Sequence, residues 1–403
     1  MTKGLLAAGS LLVAGLWCGQ ASAQAKFDVK VGGDAFFEAG YVAETNDSQL
    51  RSTEFRNRFR LNVIPTAKSD NGLEYGARIR IRANSGDRIT DADRAYLFFN
   101  GSFGSVLAGV VDSFNNTTMA GLSLARPYGY LPLTQYDEVM FFLGPAGQSV
   151  PGSARYAGPD AFGGPLPTLA TSMVWPTLSA SGVGSKIVYH SPRFAGFQVG
   201  GSFTPRSDSF NTDVNRIKAA STAGAQFTGN FQDMVEVGAN YQNKFGDWAL
   251  GASLGYQGGR ASASSAGTDR FTDLQSWAAS VQVGYGAFSA GGSYTDYGKS
   301  GQNKIYGFTG AARTWQAGVQ YTAGALVVGG GYLHGEDPGS VTLAGKRSLG
   351  VYEVGAGYTV APGLLLQAQY DYFKADSDKL ATAASGSADD KGSVVLVRTV
   401  LAF

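Results

Sequence analysis

Between residues 248 and 257 the chain alternates strictly: Trp248, Leu250, Ala252, Leu254 and Tyr256 are apolar, while Ala249, Gly251, Ser253, Gly255 and Gln257 are small or polar. The split recurs at 276–285, where Trp277, Ala279, Val281, Val283 and Tyr285 oppose Ser276, Ala278, Ser280, Gln282 and Gly284. It recurs again at 315–322, with Trp315, Ala317, Val319 and Tyr321 against Gln316, Gly318, Gln320 and Thr322. Successive side chains of a strand point to opposite faces, so each segment predicts a strand with one apolar and one wet face. Runs of about ten such residues, broken by turns, are what strands of a closed barrel in a bilayer require. After the first 23 residues nothing approaches eighteen consecutive apolar residues, so no transmembrane helix is expected.

An internal repeat supports the barrel. Tyr256, Tyr294, Tyr332 and Tyr370 are spaced by 38 residues, and a second set, Tyr241, Tyr285, Tyr321 and Tyr358, precedes short turns. Each repeat is one hairpin plus a loop. A soluble propeller has a similar period, but its blades bury both faces of most strands, whereas here one face is Gln, Ser, Thr and Gly throughout. Tyr, Trp and Phe at strand ends suit the aromatic girdles of the two membrane interfaces. Short connections are expected at 68–72, 100–104, 191–196, 243–247, 285–287, 322–324 and 360–363, and long ones near 44–53, 84–92, 115–183, 207–232, 261–273, 298–311, 335–346 and 376–391. Seven turns and eight loops join sixteen strands. The expected fold is therefore all-β: a sixteen-stranded antiparallel transmembrane β-barrel with both termini on the turn side, closed so that no strand edge faces lipid. A barrel of that size leaves an open channel.

Composition agrees. Of 403 residues 57 are Gly, without a collagen-like period, and 16% are charged, against about 25% in ordinary soluble domains. A net charge of +1 gives no field for nucleic acid, so none is expected as a partner. Residues 1–23 read as an export signal: Lys3, an apolar stretch from Gly4 to Trp17, and the small-residue site Ala21-Ser22-Ala23. The stretch is shorter than the roughly 20 residues of a spanning helix. Trp17 before Cys18 argues against lipidation, and removal of the segment leaves the barrel domain 24–403 with no cysteine.

The arginines are placed unevenly. Arg56, Arg58, Arg60 and Asn62 share one face of a strand, opposite Phe55, Asn57, Phe59 and Leu61. Arg78, Arg80 and Arg82 alternate with Ala77, Ile79, Ile81 and Ala83 on the next, and Arg94 shares a face with Tyr96 on the one after. An arginine facing lipid at mid-bilayer costs about 2–4 kcal/mol, so all seven are expected to line the lumen as one basic wall. Lys30 and Arg398, each on the polar set of its strand, are expected to extend it. A one-sign cluster in a low-dielectric wall focuses its field into the pore, which predicts an ion-sensitive constriction.

Three stretches are recognisable: Phe27-Asp28-Val29-Lys30-Val31-Gly32-Gly33, Lys186-Ile187-Val188-Tyr189-His190-Ser191-Pro192-Arg193-Phe194-Ala195-Gly196-Phe197, and the alternating end Val395, Val397, Thr399, Leu401, Phe403. Through them the chain resembles the Gram-negative general porins, sixteen-stranded outer-membrane diffusion channels that assemble as homotrimers. The resemblance implies passive passage of ions and small hydrophilic solutes, contact with outer-membrane lipid and lipopolysaccharide, and a terminal Phe403 read as an assembly signal by the barrel-assembly machinery. It also implies that the third long loop, about 115–183, folds inward. That loop is rich in aromatics, and its carboxylates Asp137, Glu138 and Asp160 are the candidates to face the arginines. In place of the enteric Pro-Glu-Phe-Gly-Gly form, residues 159–164 read Pro-Asp-Ala-Phe-Gly-Gly.

Several chemistries find no support. No phosphate-binding Gly-Lys-Ser/Thr loop, dinucleotide fingerprint or Cys/His cluster occurs, so no catalytic residue, metal ligand or cofactor is expected, and calcium bridging of acidic loops has no ligand run to name a site. His190 and His334 sit near strand ends and are expected to be interfacial side chains. The rival readings are a substrate-selective anion or phosphate channel in the same barrel, a barrel hydrolase using Ser and His, and an adhesive barrel. A sugar channel would show a file of aromatics on the polar face, which holds almost none.

Overall fold

A computed structural model describes residues 26–45, 51–83, 90–120, 177–178, 180–182, 184–207, 211–212, 214, 216, 231–261, 271–302, 304, 310–339, 344–377 and 390–403. Its strands are β1 (Asp28–Glu44), β2 (Thr53–Lys68), β3 (Glu74–Ala83), β4 (Thr90–Gly101), β5 (Gly104–Val110), β6 (Ser185–His190), β7 (Phe197–Arg206) and β8 (Phe231–Phe245). They continue as β9 (Trp248–Ala261), β10 (Leu274–Tyr285), β11 (Phe288–Gly298), β12 (Ala312–Ala323), β13 (Leu326–Gly339), β14 (Ala344–Ala361), β15 (Leu364–Ser377) and β16 (Asp390–Ala402). Each pairs antiparallel with its sequence neighbours, and β1 pairs with β16 to close the barrel.

The alternation read from the sequence is the alternation of the wall. On β10 Val281 is 49% exposed while its neighbour Gln282 is 5% exposed. Apolar outside and polar inside reverses the pattern of a soluble protein and fits a hydrocarbon solvent around the barrel. The 38-residue repeat becomes a ring at one height: Tyr256 faces Trp277, Tyr294 faces Trp315, and Tyr332 faces Tyr352 across their strand pairs. A second ring near the turns contains the tilted pairs Trp248–Tyr285 and Phe288–Tyr321, with ring centroids 4.7 Å apart in each.

Tight turns rest on glycine where the backbone demands it. Gly246, Gly286 and Gly324 take φ of 61, 55 and 60°, the left-handed region that a side chain disfavours. The long connections are shorter than the sequence implies at two places, because β4 already starts at Thr90 and the β13–β14 hairpin extends to Gly339 and Ala344. At the seam, Gly33 and Phe403 exchange backbone hydrogen bonds of 2.7 and 3.1 Å, and the Phe403 ring lies 6.0 Å from that of Phe59.

The third connection leaves β5 at Val111 and returns at Gly184. Its first leg holds a short helix, α1 (Phe114–Ala120), that the sequence reading treats only as loop. Ser113 caps it, its Oγ accepting from the Asn116 amide at 3.2 Å. Three glycines in register, Gly200, Gly238 and Gly255 on β7, β8 and β9, form a smooth seat for this leg on the inner wall. A Cβ at Gly200 would come within 2.3 Å of the Phe114 ring, and one at Gly238 within 2.2 Å of Asn115 Oδ1. Phe114 is fully buried there among Val111, Val188, Tyr96 and Leu107, and Asn115 Nδ2 donates to the Tyr256 carbonyl at 3.0 Å. The His190 ring lies tilted against the same ring at 5.0 Å, so it faces inward with Lys186 and Val188 rather than lying at the membrane interface. His334 does sit in the outer aromatic ring, beside Trp315 and Tyr332.

The returning leg is equally anchored. Thr177 O accepts from the Tyr297 hydroxyl at 2.6 Å, and Ala180 packs with Phe231, Met234, Leu274 and Tyr297. Lys186 Nζ donates to Gly182 O at 2.6 Å, and the buried Glu236 lies beside Ser113 of one leg and Ser181 of the other. Both described ends of the third connection thus lie inside the barrel.

Candidate functional site

The inner face of β1–β4, with β16 alongside, carries the charged side chains. Strand register arranges them in rows across the wall. From the loop side toward the turns, one row contains Glu38 between Arg56 and Arg398, and a lower one runs Asp34, Arg60, Arg82, Asp91. The next contains Asn62, Arg80 and Arg94. Five carboxylates are interleaved with the arginines, and this is where the structure departs from a purely basic wall.

Asp34 accepts from Arg58 Nη2 at 2.8 Å and from Arg60 Nε at 2.9 Å. Arg80 grips Asp93 through bonds of 2.7 and 2.6 Å, Arg82 grips Asp91 at 2.8 and 3.2 Å, and Arg94 grips Asp112 at 2.9 and 2.7 Å. Glu38, completely buried, accepts from Arg398 Nε at 2.7 Å and lies 3.1 Å from Arg56 Nη2. The guanidinium groups of Arg56, Arg58 and Arg398 also surround the Phe36 ring, at 5.4, 4.7 and 4.8 Å from its centroid. Forked arginine–carboxylate pairs fix orientation as well as charge, so these side chains form a rigid surface.

Local backbone explains how Asp93 joins. The β3–β4 register shifts between Arg80 and Ile81, so Asp93 is an extra residue in β4. The bulge turns Asp91, Asp93 and Arg94 all inward, which strict alternation forbids. Asp34 and Glu38 share the inward set of β1 with Lys30, and that parity is the signal by which the sequence could have revealed them. Asp112 belongs to the first leg of the third connection, and Asn116 Nδ2 of α1 donates to it at 3.1 Å. The wall and the inward connection are therefore joined through Arg94 and Asp112.

All seven arginines of the sequence reading come together on this wall, and Arg398 joins them through Glu38. Lys30 shares the inward face but lies opposite Ile64, two rows nearer the turns than Asp34, apart from the paired network. Arg78 also stands apart: its partners are neutral, Asn62 Oδ1 at 3.0 and 2.8 Å and the Tyr96 hydroxyl at 3.4 Å. Asp137, Glu138 and Asp160 lie outside the described residues, as does the expected export signal. Among the described residues no group of three or more His, Cys, Asp or Glu could hold a metal ion.

A closed antiparallel barrel with an apolar exterior and a charged interior has a counterpart in sequence. The family model for Gram-negative porins matches residues 7–378. The chain belongs to the Gram-negative porin family. As a porin it is a channel-forming β-barrel of the outer membrane, not an enzyme. Solved structures share the fold at low identity. One mutant of the Rhodobacter blastica porin is 17% identical, with a TM-score of 0.54 and coverage of 93% of this chain and 100% of that one. A second mutant of that porin is 18% identical, at a TM-score of 0.52 and the same coverage. A loop-deletion mutant of OmpT, an outer membrane protein of Vibrio cholerae, is 13% identical, with a TM-score of 0.50 and coverage of 93% and 99%. Among curated proteins no sequence matches this porin.

Proposed function

We propose that this porin is a general diffusion channel, passing ions and small hydrophilic solutes through a water-filled lumen whose narrow part is bounded by the charged face of β1–β4. The observation that carries the reading is the uneven inner wall. Arg58 and Arg82 keep 39% and 40% of their side chains exposed, whereas the inner residues Gln257, Thr295 and Thr314 on β9, β11 and β12 are sealed. Solutes are expected to pass along the charged face, where aligned dipoles and ion pairs favour polar molecules over apolar ones. The same reading includes residues 1–23 as the export signal, Phe403 as the assembly signal for the barrel machinery, a homotrimer, and lipopolysaccharide around the outer aromatic ring.

The test is conductance of the purified protein in planar bilayers. Large ohmic steps that close in threes support a trimeric diffusion channel. Replacement of Arg58 by Ser should move the reversal potential in a salt gradient toward cations. Absence of current from a folded barrel would overturn the reading.

A further inference from the structure

Eight arginines line the inner face of β1–β4 and β16, but their charges are not equally available. Asp93, Asp91 and Asp112 each grip one of Arg80, Arg82 and Arg94, with Asp93 also 3.5 and 3.8 Å from Arg82 and Arg94, while Asp34 and Glu38 are each shared by two arginines. Arg78 is different. Among the described residues no carboxylate lies within ion-pair distance of it, and the same holds for Lys30. Their positions bring these two cations into one row. Lys30 faces Ile64; since Val63 faces Ile79 and Thr66 faces Gly76, the row of Ile64 continues onto Arg78. Two strand spacings place their backbones about 10 Å apart on the inner face.

The guanidinium of Arg78 is also held in a defined pose. Asn62 Oδ1 accepts from both Nε and Nη2, and the Tyr96 hydroxyl accepts from Nη1. A guanidinium has five N–H donors, so one on Nη1 and one on Nη2 remain free. Two such donors can be taken by the oxygens of a tetrahedral or planar oxyanion. Neutral partners orient the group without cancelling its charge. A partner carboxylate, as at Arg80, would do both.

We propose that Arg78, with Lys30 beside it in the row, forms a binding position for small oxyanions at the turn-side end of the channel. This rests on the channel reading and adds a solute class to it: phosphate-like and carboxylate-like anions linger here, while the paired arginines above serve as a rigid polar surface.

The experiment measures chloride current through single channels while inorganic phosphate is titrated in at constant ionic strength. Wild type should show a saturable fall in chloride current. Arg78→Gln should raise the phosphate concentration for half-effect at least tenfold, and Lys30→Gln about threefold. Arg78→Lys keeps the charge but loses the fork; it should retain the ion preference of the wild type while weakening the phosphate effect about tenfold. Heat-modifiable mobility of each variant on semi-native gels guards against misfolding. Chloride current insensitive to phosphate in the wild type would overturn the site while leaving the channel reading intact. Equal loss in the charge-neutral double variant R80Q/D93N would also overturn it, because the network as a whole would then be the binding surface. Lack of any chloride current would instead overturn the channel reading.

Discussion

Arg94 on β4 holds Asp112, in the first leg of the third connection, by two parallel hydrogen bonds of 2.9 and 2.7 Å. Through this pair the charged wall and the inward connection become one mechanical unit. Asp112 also accepts from Asn116 at 3.1 Å, so the pair orients the start of α1. Forked charge-assisted bonds are about twice as strong as neutral ones. Asp112→Asn and Arg94→Gln should each destabilise the barrel by about 1–3 kcal/mol, since the first leaves Arg94 only the more distant Asp93, at 3.8 Å, and the second leaves Asp112 without its cation. The double variant should cost less than the two losses added, giving a coupling of about 1–2 kcal/mol in urea unfolding of the detergent-folded protein. Strict additivity would mean that the two groups do not act together.

The seat of the third connection makes a second prediction. Gly200, Gly238 and Gly255 lie in one row beneath Phe114 and Asn115. A side chain at Gly200 meets both the Phe114 ring and the Tyr189 carbonyl at 2.3 Å, so Gly200→Val must push α1 off the wall. The expected cost is about 1–3 kcal/mol from overpacking. Phe114→Ala, which empties the seat, should cost about 3–5 kcal/mol. Because both act on one contact, their combination should be less harmful than the sum. Urea midpoints of the three variants decide it.

Phe403 lies at the seam where β1 and β16 close the barrel. Phe403 exchanges two backbone hydrogen bonds with Gly33 and lays its ring near Phe59. Deletion of Phe403 removes the bonds and the ring together, whereas Phe403→Ala removes the ring alone. If the ring is what the assembly machinery reads, both variants should accumulate several-fold less heat-modifiable barrel in the outer membrane. If seam hydrogen bonds dominate, only the deletion should do so. Semi-native gel mobility of membrane fractions separates the two.

Much of this was legible in the chain. Trp277, Val281 and Tyr285 against Ser276, Ser280 and Gln282 identified the wall and its two solvents, because a period of two has a single structural meaning when sustained over ten residues. The Tyr256, Tyr294, Tyr332 and Tyr370 spacing likewise became a ring of one height. The charge pairing was harder to read. Asp93 points inward only because of a bulge, and a bulge leaves no trace in alternation. Asp112 and Arg94 lie 18 residues apart, on different elements, and meet only through the β4–β5 hairpin. The glycine row was hidden for another reason: Gly200, Gly238 and Gly255 look alike in sequence to the glycines of any strand, and their shared height appears only after three registers are known.

Glu38 supplies the prediction with an opposite electrical sign. It is completely buried between Arg56 and Arg398, and both guanidinium groups also stack on Phe36. Replacing its carboxylate with an amide keeps the shape and removes one negative charge from a group of like-charged neighbours. The protein should lose about 3 kcal/mol of stability, toward the lower end for a broken buried pair because Arg56 keeps some contact with water. The wall, now more positive, should draw anions more strongly, so Glu38→Gln should shift the reversal potential toward anions. Arg398→Gln leaves Glu38 paired with Arg56 and takes away a positive charge, so it should shift the potential toward cations. Opposite shifts from two residues joined by one ion pair would place that pair within the field that permeating ions sense. Shifts of the same sign would show that both variants act by deforming the wall, and the electrical role of Glu38 would be withdrawn.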